Sequence, residues 1–215
     1  MKKVLITGAL GQDGLILSKL YLKKKFKVYG FIKKGKGQES KIKKIIYKIN
    51  DLKSKSNIMF HLKTIKPNII LHLASTNNSH SKRKNKETYK LNYLNNMRCT
   101  KNLLGSIIEN NLKTNLIFAG SSLMFARSIK KKVSEKNKFK SNEYYGQYKI
   151  DSHKLILSMK KKYNINATTA ILFNHDSEFR NKNFLIPKLV ESFKNRNKNF
   201  IENIYKLNIS GDFSH

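Results

Sequence analysis

At 215 residues the chain is long enough to bury a core and to make one domain with a small appendage. A single cysteine, Cys99, excludes an internal disulfide framework, and without a CxxC pair or clustered His and Cys no metal site is expected; a reducing cytoplasm is the natural compartment. The formal charge of +32 invites a nucleic-acid or membrane reading, but the lysines run along the whole sequence among Asn and Ile, so it reads as residue-usage bias, and at most a nonspecific, salt-sensitive attraction follows.

Val4, Leu5 and Ile6 form a short apolar run, and Leu15, Ile16, Leu17, Leu20 and Tyr21 follow with the spacing of a helix face. Gly8, Gly11 and Gly14 lie between them, where a buried strand hands over to a helix. Glycines at such a turn permit positive φ and let the backbone approach phosphate oxygens, which then face the free N–H groups at the positive end of the helix. A dinucleotide pyrophosphate site is therefore expected, although GxxGxxG is not GxGxxG and turn glycines without a ligand show the same pattern. Gly8, Gly11, Gln12 and Asp13 interrupt the opening apolar stretch too early for a signal sequence, and no run approaches the length of a membrane span.

Further along, Lys27 to Lys34 reads as a second strand, and residues 35–50 as a loop followed by a helix with Ile42, Ile45, Ile46 and Ile49 on one side. Ile69 to Ala74 and Asn115 to Gly120 read as strands, separated by a long helical pattern carrying Leu91, Leu94, Leu103, Leu104, Ile107 and Ile108. Tyr144 to Tyr163 reads as a helix, Ala167 to Phe173 as a strand, and the region from Phe184 to Lys194 as a last helix. Strands alternating with helices predict an α/β fold, a doubly wound parallel sheet with helices on both faces. The polar stretches 75–86 and 127–142 follow strand ends, at the sheet edge where such folds bind ligands.

Tyr145 and Lys149, four apart at a helix start, point to the same face. An ammonium near a phenol favours its ionised form, which would suit Tyr145 for acid/base work. Ser121, at the end of the strand NLIFAGS, offers a hydroxyl to the same substrate oxygen.

The three glycines, HLA at 72–74, SS at 121–122 and YxxxK at 145–149 resemble an extended short-chain dehydrogenase/reductase, a Rossmann-like fold. TGALGQDG at 7–14 and LFNHDSEFR at 172–180 resemble, more narrowly, the GDP-mannose 4,6-dehydratases. The resemblance implies that Gly8, Gly11 and Gly14, with Gln12 and Asp13, hold the cofactor pyrophosphate. It sets Asp51 and Leu52 near the adenine and Ala74 beside the nicotinamide ribose. Lys33 and Lys34 stand where the family binds a 2′-phosphate, and with no carboxylate there NADP is favoured over NAD.

By the same resemblance the substrate is a nucleotide sugar, GDP-mannose or a related GDP-hexose. Ser121 polarises its C4 oxygen, Tyr145 takes the proton, and Lys149 holds the ribose and tunes Tyr145. Asn174 and Lys188 match substrate-contacting positions. His175 and Arg180 share the motif and order the loop, while His72 and Cys99 read as packing residues.

Two departures stand against a dehydratase. Leu123 occupies the position of the family glutamate that removes the C5 proton and helps water leave from C6; Glu135 and Glu143 are the nearest acids downstream. The sequence also stops where the family's C-terminal substrate-binding portion begins, so residues 1–175 read as the dinucleotide-binding domain and 176–215 as the start of a truncated substrate portion. A 4-epimerase or 4-ketosugar reductase, neither needing that glutamate, stays open, as does a noncatalytic remnant that binds NADP or a nucleotide sugar. Homo-oligomerisation through helices of this domain is expected by resemblance.

Overall fold

The computed structural model describes residues 1–33, 41–76, 85–125, 133–134, 136–196, 198–206 and 213–214. Strands β1 (Lys3–Thr7), β2 (Lys27–Ile32), β3 (Ile46–Ile49), β4 (Ile69–His72), β5 (Asn115–Ala119) and β6 (Asn166–Ala170) form one six-stranded sheet in the order β3-β2-β1-β4-β5-β6. Every pairing in it is parallel, with Leu5 of β1 opposite Tyr29 on one side and Ile70 on the other. The chain order reverses between β1 and β4, and the crevice outside the carboxyl ends of those strands is where this topology receives a ligand.

Alternate residues of the strands feed separate cores. Val4, Ile6, Val28 and Ile32 pack with Leu17, Tyr21 and Leu22 of helix α1 (Gln12–Lys23) on one face. On the other face Leu5, Tyr29, Phe31, Ile70 and Phe118 meet Ile58, Leu62 and Ile65 of α2 (Lys55–Ile65), Leu103, Leu104 and Ile107 of α3 (Lys86–Glu109), and Tyr148 and Ile156 of α4 (Tyr144–Tyr163). Because β1, β2 and β4 are covered on both sides they read as continuous apolar runs, as buried parallel strands do. The last elements are β7 (Asn174–His175), α5 (Leu185–Lys194), α6 (Lys198–Tyr205) and β8 (Phe213–Ser214), with β7 and β8 paired in parallel.

Two sequence expectations are corrected. Residues 46–49 are an edge strand and not part of a helix: Ile46 packs into the α2–α4 core while Ile45 and Tyr47 pack on the α1 side, a period of two. Pairing with β2, Tyr29 opposite Ile46, overrides the helix-like isoleucine spacing. Helix α2 carried no assignment, yet Ile58, Leu62 and Ile65 lie on one face, Ser54 caps its start by accepting from Asn57 N–H, and Lys66 ends it in the left-handed conformation just before Pro67. Most other elements lie where the sequence placed them, with Tyr144–Tyr163 matched at both ends and the strand at 167–173 running instead from Asn166 to Ala170, but the helix at Leu185–Lys194 is not the last, since α6 follows it, and β7, α6 and β8 carried no assignment. Among the described residues no helix is long and apolar enough to cross a membrane.

Candidate active site

The turn between β1 and α1 is built by close backbone approach. Gly8 has φ +72°, and a Cβ there would lie 3.0 Å from both the nitrogen and Cα of Ala74. Gly11 N–H closes the turn onto the Gly8 carbonyl at 2.9 Å, and a Cβ on Gly14 would come within 2.8 Å of Ala9 Cα. Gly14 is thus a packing glycine that seats α1 against the turn, leaving the first-turn N–H groups without intrahelical acceptors.

A cavity of about 540 Å³ opens beside this turn, and Gly8, Gly11, Lys33, Asp51, Leu52 and Ala74 line it as expected. Lys34 lies outside the described residues. Asp51 is the cavity's only acid among the described residues, and its Oδ1 accepts from Lys53 N–H at 3.0 Å. Asn96, which the sequence gave no reason to single out, also lines the cavity and clamps Thr76 by accepting from its N–H at 2.9 Å and donating to its carbonyl at 3.0 Å. Cys99, half-buried, also lines this cavity, and burial pushes its thiol up. The positive-φ turn, the helix N-terminus, the absence of side-chain bulk and the basic Lys33 fit the diphosphate and ribose of a dinucleotide.

A second cavity, about 520 Å³, brings together Asp13, Ser121, Leu123, Glu143, Tyr145, Lys149, Asn174, His175 and Arg180. Ser75 lines both cavities, and its hydroxyl lies 3.3 Å from Tyr145 Oη. Ser121 ends the turn after β5, its Oγ accepting from Leu123 N–H at 3.2 Å. Tyr145 and Lys149 occupy successive turns of α4, with the ammonium 5.3 Å from the phenol ring centroid.

The electrostatics revise one expectation. Lys149 is buried and donates to the Ala119 carbonyl at 2.6 Å; burial pulls its pKa down to about 7, against an opposing influence from Asp13. Burial pushes the Tyr145 phenol up, and the Ser75 hydrogen bond only partly offsets this. In the chain as it stands the Tyr145 phenol is therefore raised and not lowered, and the Lys149 ammonium is turned toward a backbone carbonyl. His72 is a packing residue, as read from the sequence: its ring lies between the Thr7 hydroxyl at 2.9 Å and the Thr100 hydroxyl at 3.2 Å, and burial pulls it down to about 3.

Gln12 and Asp13 face away from the first cavity. Asp13 pairs with His175 Nε2 at 2.7 Å, Gln12 Oε1 accepts from Arg180 at 3.2 Å, and Gln12 Nε2 donates to the His175 carbonyl at 3.3 Å. The two most specific sequence motifs, separated by some 160 positions, are thus tied together in space. Burial works against the charged form of His175, but its bonds to the Phe173 carbonyl and to Asp13 outweigh it and hold the ring above its ordinary value. Asn174 reaches the second cavity; Lys188 is exposed on α5 and lines neither. Residues 77–84, 127–132 and 135 of the two expected ligand-facing loops, Glu135 included, lie outside the described residues.

A switch-point crevice with a glycine turn on one side and a Ser, Tyr and Lys set on the other defines the extended short-chain dehydrogenase/reductase class. Residues 5–212 match the model of the family described as GDP-mannose 4,6 dehydratase, and the chain belongs to that family. It is 26% identical over 211 residues to the GDP-mannose 4,6 dehydratase of Drosophila melanogaster, covering 89% of this chain and 51% of the relative. It is 27% identical over 205 residues to GDP-mannose 4,6 dehydratase 1 of Arabidopsis thaliana, covering 89% and 56%. The chain thus spans about half the length of the curated relatives it matches.

Among solved structures, dTDP-glucose 4,6-dehydratase of Bacillus anthracis in complex with NAD superposes with TM-score 0.77 at 14% identity, over 91% of this chain and 62% of that one. UDP-glucose 4-epimerase of Thermus thermophilus, also with NAD, superposes with TM-score 0.73 at 17% identity, over 84% and 58%. At these identities the likeness is one of fold.

Proposed function

We propose that the protein is an NADP-dependent, nucleotide-sugar-modifying enzyme of the GDP-mannose 4,6-dehydratase type, acting on GDP-mannose or a related GDP-hexose. The observation that carries this reading is the convergence of Ser121, Tyr145, Lys149 and Asn174 on one cavity that meets the glycine-turn cavity at Ser75. Gly8, Gly11 and Ala74 would hold the dinucleotide backbone, Lys33 a 2′-phosphate, and Asp51 with Leu52 the adenosine end. When bound, that cofactor supplies an acceptor for the hydrogen at sugar C4. Ser121 orients the C4 hydroxyl and Tyr145 receives its proton. Lys149 would turn from the Ala119 carbonyl to a ribose hydroxyl and lower the barrier to forming the phenolate.

Residues 1–175 would form the dinucleotide-binding domain and 176–215 the start of the substrate-binding portion, to which Lys188 would contribute a phosphate contact. The exposed Leu91 and Leu94 of α3 and Leu157 of α4 support self-association through those helices. Leu123 favours a second reading, a 4-epimerase or 4-ketosugar reductase, because hydrogen transfer at C4 alone does not call for an acid at that place.

Titration calorimetry with NADP⁺ and NAD⁺, followed by GDP-mannose and product analysis, tests both. A 4-keto-6-deoxy sugar supports the dehydratase, while an inverted C4 or a C4 alcohol supports the alternative. Binding of neither dinucleotide would overturn the proposal.

A further inference from the structure

All strands of the six-stranded sheet run one way, so strand entries and helix ends meet at a single edge, opposite the two cavities. Backbone hydrogen bonds fix this edge: Lys27 N–H donates to the Lys2 carbonyl, Asn68 N–H to the Lys3 carbonyl and Asn115 N–H to the Asn68 carbonyl, each at 2.9 Å. Asn166 of β6 lies opposite Asn115. We propose that this amino edge is a docking surface for single-stranded nucleic acid, held through its phosphates and without sequence preference.

Lysine arrives here from nearly every element that reaches the edge. Lys2 precedes β1, Lys27 opens β2, and Lys66 and Lys113 stand before β4 and β5. Helix α1 runs out into Lys23–Lys25, and α4 closes on Lys160–Lys162. All of these lysines are exposed. The ten acids among the described residues are placed otherwise. Asp13, Glu87 and Glu143 lie at helix starts, Asp51 follows a strand end, Asp151 is in the first half of α4, and four acids lie beyond β7. Glu109 at the end of α3 is the exception, and its carboxylate pairs with Lys55. Residue usage accounts for the number of lysines but not for this separation of sign.

Helix ends favour cations through the macrodipole, which accounts for Lys23 and Lys160–Lys162. It does not account for lysines at strand entries. Nor does it account for Lys25 (φ +59°) and Lys66 (φ +48°), which hold the left-handed positions after α1 and α2, where glycine or asparagine is the ordinary residue. The left-handed residues that end α3 and α4 are Asn111 and Asn164. Lysine at the other two bears a steric cost that ending a helix does not require.

The entries of β2 to β6 make a strip about 20 Å wide, which several successive phosphates of one strand can follow. Tyr163, 43% exposed, stands at one end of it, with the Lys162 ammonium 5.1 Å from its ring centroid. An exposed ring among cations is a platform on which a base stacks. Exposed Asn68, Asn115 and Asn166 lie between the lysines, and their amides suit the hydrogen-bonding edges of unpaired bases, which a lipid surface lacks.

The test is fluorescence anisotropy of a labelled oligouridylate of about 16 nucleotides with the full chain across a salt series. Two triple variants of equal charge carry the comparison: Lys160→Gln with Lys161→Gln and Lys162→Gln at the amino edge, and Lys136→Gln with Lys138→Gln and Lys140→Gln on the stretch before α4. Glutamine keeps the helix propensity of lysine, and urea unfolding checks that both variants are folded. The amino-edge variant should bind about tenfold more weakly, with a salt slope shallower by about 2, while the other stays within about threefold of the unaltered chain. Tyr163→Ala should weaken binding by about fivefold or more. Equal weakening by the two triple variants would reduce the effect to net charge and overturn the surface. No measurable binding of the oligouridylate, or preference for phosphatidylserine vesicles over it, would do the same. Undiminished binding by Tyr163→Ala, or tighter binding of a duplex of the same length, would overturn the assignment to single strands. None of these outcomes depends on turnover of a nucleotide sugar.

Discussion

The two adjoining cavities are built in different ways. The glycine-turn cavity draws mainly on strand ends and the loops directly after them, with Asn95, Asn96 and Cys99 of α3 closing one side, and its shape depends on side chains being absent: Gly8 at φ +72°, and Gly14 against Ala9. The second cavity is assembled from side chains on well-separated stretches, among them Asp13, Ser75, Ser121, Glu143–Lys149, Asn174–Arg180 and Phe184–Ile186, held by hydrogen bonds such as His175 to Asp13. A wall made of backbone tolerates changes of charge but not of volume. One made of polar side chains tolerates neither a lost donor nor a lost acceptor, yet its loss is felt in chemistry more than in folding.

The largest expected effect separates the two directly. Tyr145→Phe should lower turnover of GDP-mannose by about 10²- to 10⁴-fold while dinucleotide affinity, read by calorimetry, stays within a few-fold. If affinity collapsed as well, the cavities would not be separable.

The converse test is Gly8→Ala, which forces an L side chain into left-handed backbone and presses on Ala74. It should cost about 1–2 kcal/mol in urea unfolding from the backbone conformation alone. It should also weaken dinucleotide binding more than tenfold. Unchanged binding would mean that the turn is not the phosphate cradle.

A pH profile isolates Lys149, whose pKa is about 7 in the folded chain against 10.5 ordinarily. Between these values the unfolded chain binds a proton that the folded chain does not, so stability rises with pH across that window and is lost as pH falls toward 7. Lys149→Met should flatten this rise in urea unfolding measured from pH 7 to 10. A profile identical to that of the unaltered chain would mean that the ammonium is not desolvated.

Smaller still, Lys33→Ala should weaken NADP⁺ by about tenfold relative to NAD⁺, the loss of one charge-assisted contact. Equal weakening of both would remove Lys33 from the 2′-phosphate site. The smallest effect belongs to a surface pair remote from both cavities. Lys55 and Glu109, with side chains 42% and 46% exposed, form an ion pair whose loss in Glu109→Ala should cost under about 1 kcal/mol and leave binding untouched.

Part of the first cavity was legible because its requirements are local: three glycines between an apolar run and a helix pattern fix a turn, whereas Lys33 and Asp51 were reached by resemblance, the strand that ends just before Asp51 having been read as a helix. The second cavity was legible only in part. Ser121, Tyr145 and Lys149 carried a spacing and a chemistry, but nothing local tells that Ser75 meets Tyr145 or that Asn96 grips Thr76. The sequence also misjudged residues 46–49, where isoleucine spacing mimics a helix face and pairing with β2 makes a strand.

By itself the sequence determined the alternation of strands and helices, the glycine turn and the helix bearing Tyr145 and Lys149, because periodicity and steric allowance act over a few residues. Tertiary structure decided the rest. It turned the Lys149 ammonium onto the Ala119 carbonyl, bound Asp13 to His175, and set Glu143 on the cavity wall beside Leu123. Desolvation and hydrogen bonding between distant segments exist only once the sheet has brought its strand ends to one edge.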